Sequence, residues 1–289
     1  MLSAHETILS KQIQWAHNQN IDLIGSKGTR GRLAYTRELD LNLFMPLMDS
    51  VRHSFERGDG SEITGSPESP AKMQALHSSS ALGVNVFQYW QSINQVPAIA
   101  SACGFCRKGN LSPQSIVFEE KYPIDGMTRI PPNIDVVIHN SEASRYKRFV
   151  IESKFSEPFQ SWGGKGLKPA YLRLDEIWAD LPELHQFAQT ISPQNNTNKH
   201  LDTAQLIKHI LGLKSRFKKG EFKLLYLYYD AFGEEGAAHR REIEAFTKIA
   251  RSDGVHFSAL SYQELIIRLA NGYRQDHLTY VKFLTKRYA

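Results

Sequence analysis

Residues 132–155 read PNIDVVIHNSEASRYKRFVIESKF, two apolar runs joined by a polar stretch at 140–146. Both runs are short and rich in β-branched and aromatic residues, which predicts two strands at 133–139 and 147–155. The connection is short enough for antiparallel neighbours. Side chains alternate along a strand, so Glu152 and Lys154 share a face, while Phe149, Ile151 and Phe155 take the other. On the first strand Asp135 and Val137 face one way, and Ile134, Val136 and Ile138 the other. If the polar faces meet, two carboxylates and an ammonium converge at the edge of an apolar sheet.

Working outward, residues 115–123 (SIVFEEKYP) predict a third strand, separated from the second by a turn holding Asp125-Gly126 and Pro131-Pro132. Ahead of it, Ser78-Ser79-Ser80 supplies N-cap hydroxyls for a helix carrying Leu82, Val86, Phe87 and Trp90. Downstream the pattern alternates: helix at 200–213, strand at 222–229, helix at 237–251, strand at 255–260 and helix at 261–271. This order predicts an α/β fold with a mixed sheet flanked by helices. A helix is expected at 3–19, with Leu9, Ile13 and Ala16 on one stripe. A glycine-rich basic arm with Lys27, Arg30, Arg32 and Arg37 follows. A second helix is expected within 40–56, with Pro46 in its first turn. Residues 57–70, rich in Gly, Ser, Pro and Glu, read as loop or linker. The expected division is an N-terminal helical extension and loop at 1–70 and a main unit at 71–289.

Of the 289 residues, 41% are hydrophobic and 22% charged, ordinary globular composition with enough apolar side chain for a large core. The net charge of +5 leans toward polyanionic partners, as it does in many unrelated proteins. Cys103 and Cys106 are the only cysteines, which excludes a disulfide scaffold and fits a reducing compartment. With no signal-peptide core and no run of membrane-spanning length, a cytoplasmic protein without membrane association is expected.

The residue types at the strand pair suit phosphodiester hydrolysis. Hard divalent cations prefer oxygen ligands, and Mg²⁺ takes one or two carboxylates beside water and phosphate. Such a cation lowers the pKa of a bound water and neutralises charge at the attacked phosphate. A nearby lysine stabilises the nucleophile or phosphate, or accepts a proton if its own pKa falls. Glu-x-Lys on a strand is usually a solvated face with a cross-strand ion pair. Here, however, bulky apolar residues flank it and NIDVVI precedes it at hairpin distance.

Pro132-Asn133-Ile134-Asp135 followed by Val150-Ile151-Glu152-Ser153-Lys154 resembles the P-D…E-x-K signature of the PD-(D/E)XK, or restriction-endonuclease-like, nuclease superfamily. The element order from His77 to about Asn271 is similar to its αβββαβ core. The HSSSALGVNVF, NIDVVI/FVIESKF and AQLIKHILGL segments together resemble a group of bacterial restriction endonucleases within it. Asn133 and Ile134 intervene between Pro132 and Asp135, a departure shared by many members. The resemblance implies a metal-dependent DNA nuclease with Mg²⁺, for which Mn²⁺ substitutes, as cofactor. It implies Asp135 and Glu152 as metal ligands, the Ser153 carbonyl as a third, and Lys154 as the catalytic lysine. An upstream acid, Glu119 or Glu120, often joins such sites; they point to opposite faces, and Glu120 is the working choice. Gln205 resembles the glutamine of exonuclease-like members, with a solvent-facing helix position as the plain alternative. The partner expected is DNA, and a homodimer is compatible.

Three basic clusters are candidates for phosphate contact: Arg145, Lys147 and Arg148; Lys165 and Lys168 around Trp162; and the lysines and arginine of 214–219. Each is also readable as solvated surface charge. Cys103-Gly-Phe-Cys106 has dithiol or half-zinc spacing but lacks a βαβ context or a second pair, so two partly buried thiols is the simpler reading. Rival functions are a catalytically inactive nuclease-fold binding or scaffold protein and a carboxylate glycosidase using Asp135 and Glu152. Lys154 and the basic loops argue against the latter.

Overall fold

The two apolar runs form adjacent antiparallel strands in register Val136↔Ile151, Val137↔Val150 and Ile138↔Phe149. The computed structural model describes residues 2–27, 31–58, 60, 62–66, 68–127, 131–160 and 166–289. In chain order the elements are α1 (Ala4–Asn18), β1 (Leu23–Ile24), β2 (Tyr35–Thr36), α2 (Asp49–Glu56), α3 (Ser79–Ser92) and α4 (Val96–Ala102). They continue with β3 (Pro113–Lys121), β4 (Asn133–Asn140), β5 (Arg148–Lys154), α5 (Asp175–Trp178), α6 (Pro182–Thr190) and α7 (Thr203–Lys214). The chain ends with β6 (Phe222–Tyr228), α8 (Gly233–Ser252), β7 (Phe257–Ser261), α9 (Tyr262–Tyr273) and α10 (Leu278–Tyr288).

The main sheet has five strands in the order β3-β4-β5-β6-β7. β3, β4 and β5 form an antiparallel meander, and β5, β6 and β7 run parallel. Parallel neighbours need long crossovers, and here α5 to α7 link β5 to β6 while α8 links β6 to β7. Both faces of the sheet are therefore covered. One core joins Val136, Ile138, Phe149 and Ile151 to α2, α3, α4, α9 and α10, and it includes Ala4 and Ile8 of α1. The other joins Val137, Val150 and Leu224 to α6, α7 and α8. This is the expected α/β architecture: a restriction-endonuclease-like mixed sheet flanked by helices, with an N-terminal helix.

Local chemistry explains the boundaries. Ser3 caps α1 in a reciprocal capping box with Glu6, and Ser78 caps α3 by accepting from the Ala81 N–H. Asp202 does the same for α7, accepting from the Gln205 N–H at 2.9 Å. The single helix expected within 40–56 is instead a 3₁₀ turn at Leu39–Asn42 and α2, which starts at Asp49. Pro46 lies in the extended link between them, where its missing N–H interrupts no helix ladder. α7 lies very close to the β3–β4 connection. A Cβ on Gly212 would stand 2.6 Å from the Tyr122 carbonyl oxygen. Only glycine allows that approach, and it fixes the height at which α7 crosses the sheet. Among the described residues, no helix is long and apolar enough to cross a membrane.

Candidate active site

Register places three carboxylates level on adjacent strands. Phe118↔Val136 and Glu120↔Ile134 bracket Glu119 opposite Asp135, and Val136↔Ile151 continued by one residue brings Asp135 level with Glu152. Lys154 follows two residues later on the Glu152 face. This face carries Val137 and Val150 and is roofed by α7.

Glu152 is fully buried. One carboxylate oxygen lies 2.6 Å from Lys154 Nζ, and the other accepts from His209 Nε2 at 2.8 Å. The other ring nitrogen, Nδ1, is buried and has no hydrogen-bond partner among the described residues. Burial alone would raise the Glu152 carboxyl, but Lys154 and His209 outweigh it and hold the pKa down to about 2. For Lys154, burial favours the neutral amine, yet Glu152, Asp135 and Glu157 keep the pKa well above the ordinary lysine range. Lys154 is therefore an ammonium, and the alternative of a proton-accepting lysine loses its basis in this state.

Asp135 occupies the point where the β4–β5 backbone pairing stops. Its Oδ2 accepts the Ser153 N–H at 2.7 Å, a side chain standing in for a ladder carbonyl. Burial, and then the neighbouring Glu152 charge, raise its pKa well above the usual aspartate value. Ser153 also presents its hydroxyl to Tyr262 Oη at 2.5 Å on the opposite face, which pins the residue whose carbonyl was expected to face the site.

Glu119 has φ +54°, the left-handed region that non-glycine residues rarely enter. The turn interrupts the alternation of β3 at the residue that register sets opposite Asp135. Glu119 accepts from Asn133 Nδ2 at 3.2 Å. Burial, followed by Glu62 and Glu152, pushes its pKa up to about 7. Glu120, the working choice from sequence, instead accepts from His139 Nε2 at 2.7 Å. The structure thus corrects that choice: Glu119, not Glu120, is in electrostatic contact with Glu152 and Lys154.

Gln205 lies one helical turn before His209 on the same side of α7. Its side chain is partly exposed and forms no hydrogen bond to the three strand residues. His209 was the residue that sequence reasoning missed. Its signal was a lone imidazole within the apolar run LIKHILGL, which demands a buried partner.

The basic clusters fare differently. Arg145 and Lys147 precede β5 and Arg148 opens it, roughly 20 Å of strand away from Lys154, so this cluster does not flank the site. Lys147 donates to the Glu142 carbonyl and Arg148 stacks over Phe217. Lys214 and Lys219 both pair with Asp180. Lys168 is exposed; Arg30, Trp162 and Lys165 lie outside the described residues. Cys103 is buried and Cys106 half-buried, both free, and burial raises both thiols, which disfavours the thiolates that redox or zinc chemistry requires.

Among the described residues, no three His, Cys, Asp or Glu side chains converge closely enough to enclose a metal ion. That donor set does not fit a closed zinc cage. It does fit Mg²⁺, which needs one or two carboxylates and takes water and phosphate oxygens for the rest. The pKa values of Asp135 and Glu119 are raised first by burial and then by neighbouring carboxylates, so a cation bound beside them would offset like charge. No curated protein and no solved structure matches the chain. Over residues 9–289 the chain matches, and so belongs to, the family described as Restriction Endonuclease associating with ARP.

Proposed function

We propose that this chain is a PD-(D/E)XK phosphodiesterase that cuts DNA with Mg²⁺, or Mn²⁺ in its place, in restriction or defence. The observation that carries the reading is the level row of Glu119, Asp135 and Glu152, with Lys154 as a retained ammonium on the same face. Asp135 and Glu152 would hold the cation, with the Ser153 carbonyl as a further ligand. When bound, the cation neutralises charge at the attacked phosphate and makes its water a better nucleophile at neutral pH.

The chain's own residues supply the rest. Lys154 offers a fixed positive charge to a phosphate oxygen or an incoming hydroxide. Ser153 N–H orients Asp135, and His209 orients Glu152 from the side away from Lys154. Glu119, with a pKa near neutrality, suits reversible proton uptake beside Asp135. DNA is the substrate that family membership favours, and the family's description adds ARP as an associated partner for this chain too.

One observation favours a second reading, an inactive nuclease-fold protein that binds nucleic acid. Both oxygens of Glu152 are already engaged by Lys154 and His209. One experiment separates the two: pure protein is incubated with circular and linear DNA, with and without Mg²⁺ or Mn²⁺. Metal-dependent cutting of circles is expected, and its loss in Asp135→Asn ties it to this site. Metal-independent binding with no cutting would establish the second reading instead.

A further inference from the structure

At the start of the parallel strands, far from Lys154, the turn after α4, the first residues of β6 and the α8–β7 turn enclose a cleft of about 390 Å³. Gly104, Phe105, Lys223, Arg251, His256 and Ser258 are among its lining residues, and no carboxylate lines it. Lys223 of β6 pairs in register with Phe149 and lies near its ring, which stacks on the ring of Phe105. That is the sheet face opposite Glu152, so the cleft cannot belong to the candidate active site.

The cations here are held only by neutral groups. Lys223 Nζ donates to the Phe105 carbonyl at 2.7 Å and lies 4.5 Å from the Tyr146 ring centre. Arg251 Nε donates to the Phe257 carbonyl at 3.1 Å. Arg145 lies over the other side of the cluster, 5.3 Å from the Tyr146 ring centre, and His256 Nε2 is 3.4 Å from Tyr146 Oη. Among the described residues, Lys223, Arg251 and Arg145 form no ion pair. Elsewhere on the surface, Lys214, Lys219, Arg240, Lys248 and Arg268 each have a carboxylate. Burial, and then the Arg145 charge, lower the pKa of Lys223. Burial, Lys223 and Arg145 likewise lower that of His256. The cleft therefore concentrates positive charge in a concave, partly desolvated place, where an anion gains most.

We propose that this cleft is a second anion site that takes a phosphoryl group attached to a nucleoside, either a free nucleotide or a nucleic-acid end. Its volume lies in the range of small-molecule sites, and the spare N–H groups of Lys223 and Arg251 suit phosphate oxygens. The site is independent of the nuclease reading. Calorimetric titration in metal-free, low-salt buffer tests it with AMP, adenosine, and an oligonucleotide with or without a 5′-phosphate.

AMP is expected to bind and adenosine not. Lys223→Gln and Arg251→Gln should each weaken AMP roughly tenfold, the weight of one charge-assisted hydrogen bond, while Asp135→Asn leaves it unchanged. Arg251 is exposed at the end of α8, so its variant tests the site even if Lys223→Gln folds poorly. Tighter binding of the phosphorylated oligonucleotide assigns the site to nucleic-acid ends, and tighter binding of AMP assigns it to free nucleotides. Equal binding of adenosine and AMP, no binding by either phosphate-bearing probe, or an Arg251→Gln affinity equal to wild type would overturn the proposal.

Discussion

Arg287 and Glu152 are both buried charges, and their surroundings differ in kind. Arg287, near the end of α10, donates to Gln12 Oε1 at 3.1 Å and to the Asn42 carbonyl at 2.8 Å, and also bonds the Asn42 side chain. Its guanidinium lies 3.9 Å from the Trp15 ring centre. Every partner is neutral, and the cluster ties α1 and the Asn42 turn to α10. Around Glu152 the partners are themselves charged or titratable, and acids outnumber cations. A charge satisfied by neutral dipoles and rings serves architecture. Acids whose pKa values are raised by burial and by a neighbouring carboxylate, set beside a lysine, mark a place suited to receive a counterion or substrate.

The largest expected effect tests that distinction. Asp135→Asn keeps an oxygen for the Ser153 N–H but removes the charge, so DNA cleavage should fall by about 10³-fold or more, with thermal stability near wild type. Lys154→Ala should abolish cleavage as well but also destabilise by about 3 kcal/mol, because it strands the Glu152 charge in the core. Measured cleavage rates and urea midpoints on both variants decide; undiminished cutting by Asp135→Asn would remove the site from the mechanism. Arg287→Met reverses the pattern, costing about 1–3 kcal/mol for each buried acceptor it leaves unpaired, while leaving the rate per folded molecule unchanged. A selective loss of activity there would break the comparison.

His209 sits between the two cases, structural in burial and functional in partner. His209→Gln should weaken Mg²⁺ binding and cleavage by roughly 10–100-fold, as loss of an outer hydrogen bond to a metal ligand does. Unchanged metal dependence, read from cleavage against Mg²⁺ concentration, would reduce His209 to a packing residue.

The sheet and its faces were legible because period-two alternation is stringent. In NIDVVI and FVIESK alternation tells which residues share a face, and the pairing Val136↔Ile151 and Val137↔Val150 then sets Asp135 beside Glu152. The site was less legible wherever the backbone departs from its ideal. Nothing in IVFEEK announces the positive φ of Glu119, and alternation alone only sends Glu119 and Glu120 to opposite faces without choosing between them. His209 is set by long-range packing, since α7 reaches Glu152 only at the height that Gly212 permits. Whether the basic cluster of Arg145, Lys147 and Arg148 flanks the site was not legible in the sequence, because that depends on the length of β5, which separates it from Lys154.

Two adjacent acids offer the finest test of the comparison. Glu119 keeps its proton up to about pH 7 in the folded chain, whereas an unfolded glutamate releases it near pH 4.3. Between those values the folded state binds more protons, so stability without metal should fall as pH rises through that window. Glu119→Gln should remove that slope and recover about 2 kcal/mol at pH 8, a figure discounted for the carboxyl's contact with water. Urea midpoints at pH 5 and 8 measure it, and equal slopes in both proteins would refute the crowded-acid account. Glu120→Gln is the control and the smallest effect. It loses a partly exposed contact to His139, worth at most about 1 kcal/mol, and should leave both the pH slope and cleavage as they are. If Glu120→Gln matched Glu119→Gln, the register that sets Glu119 opposite Asp135 would no longer explain which acid belongs to the site.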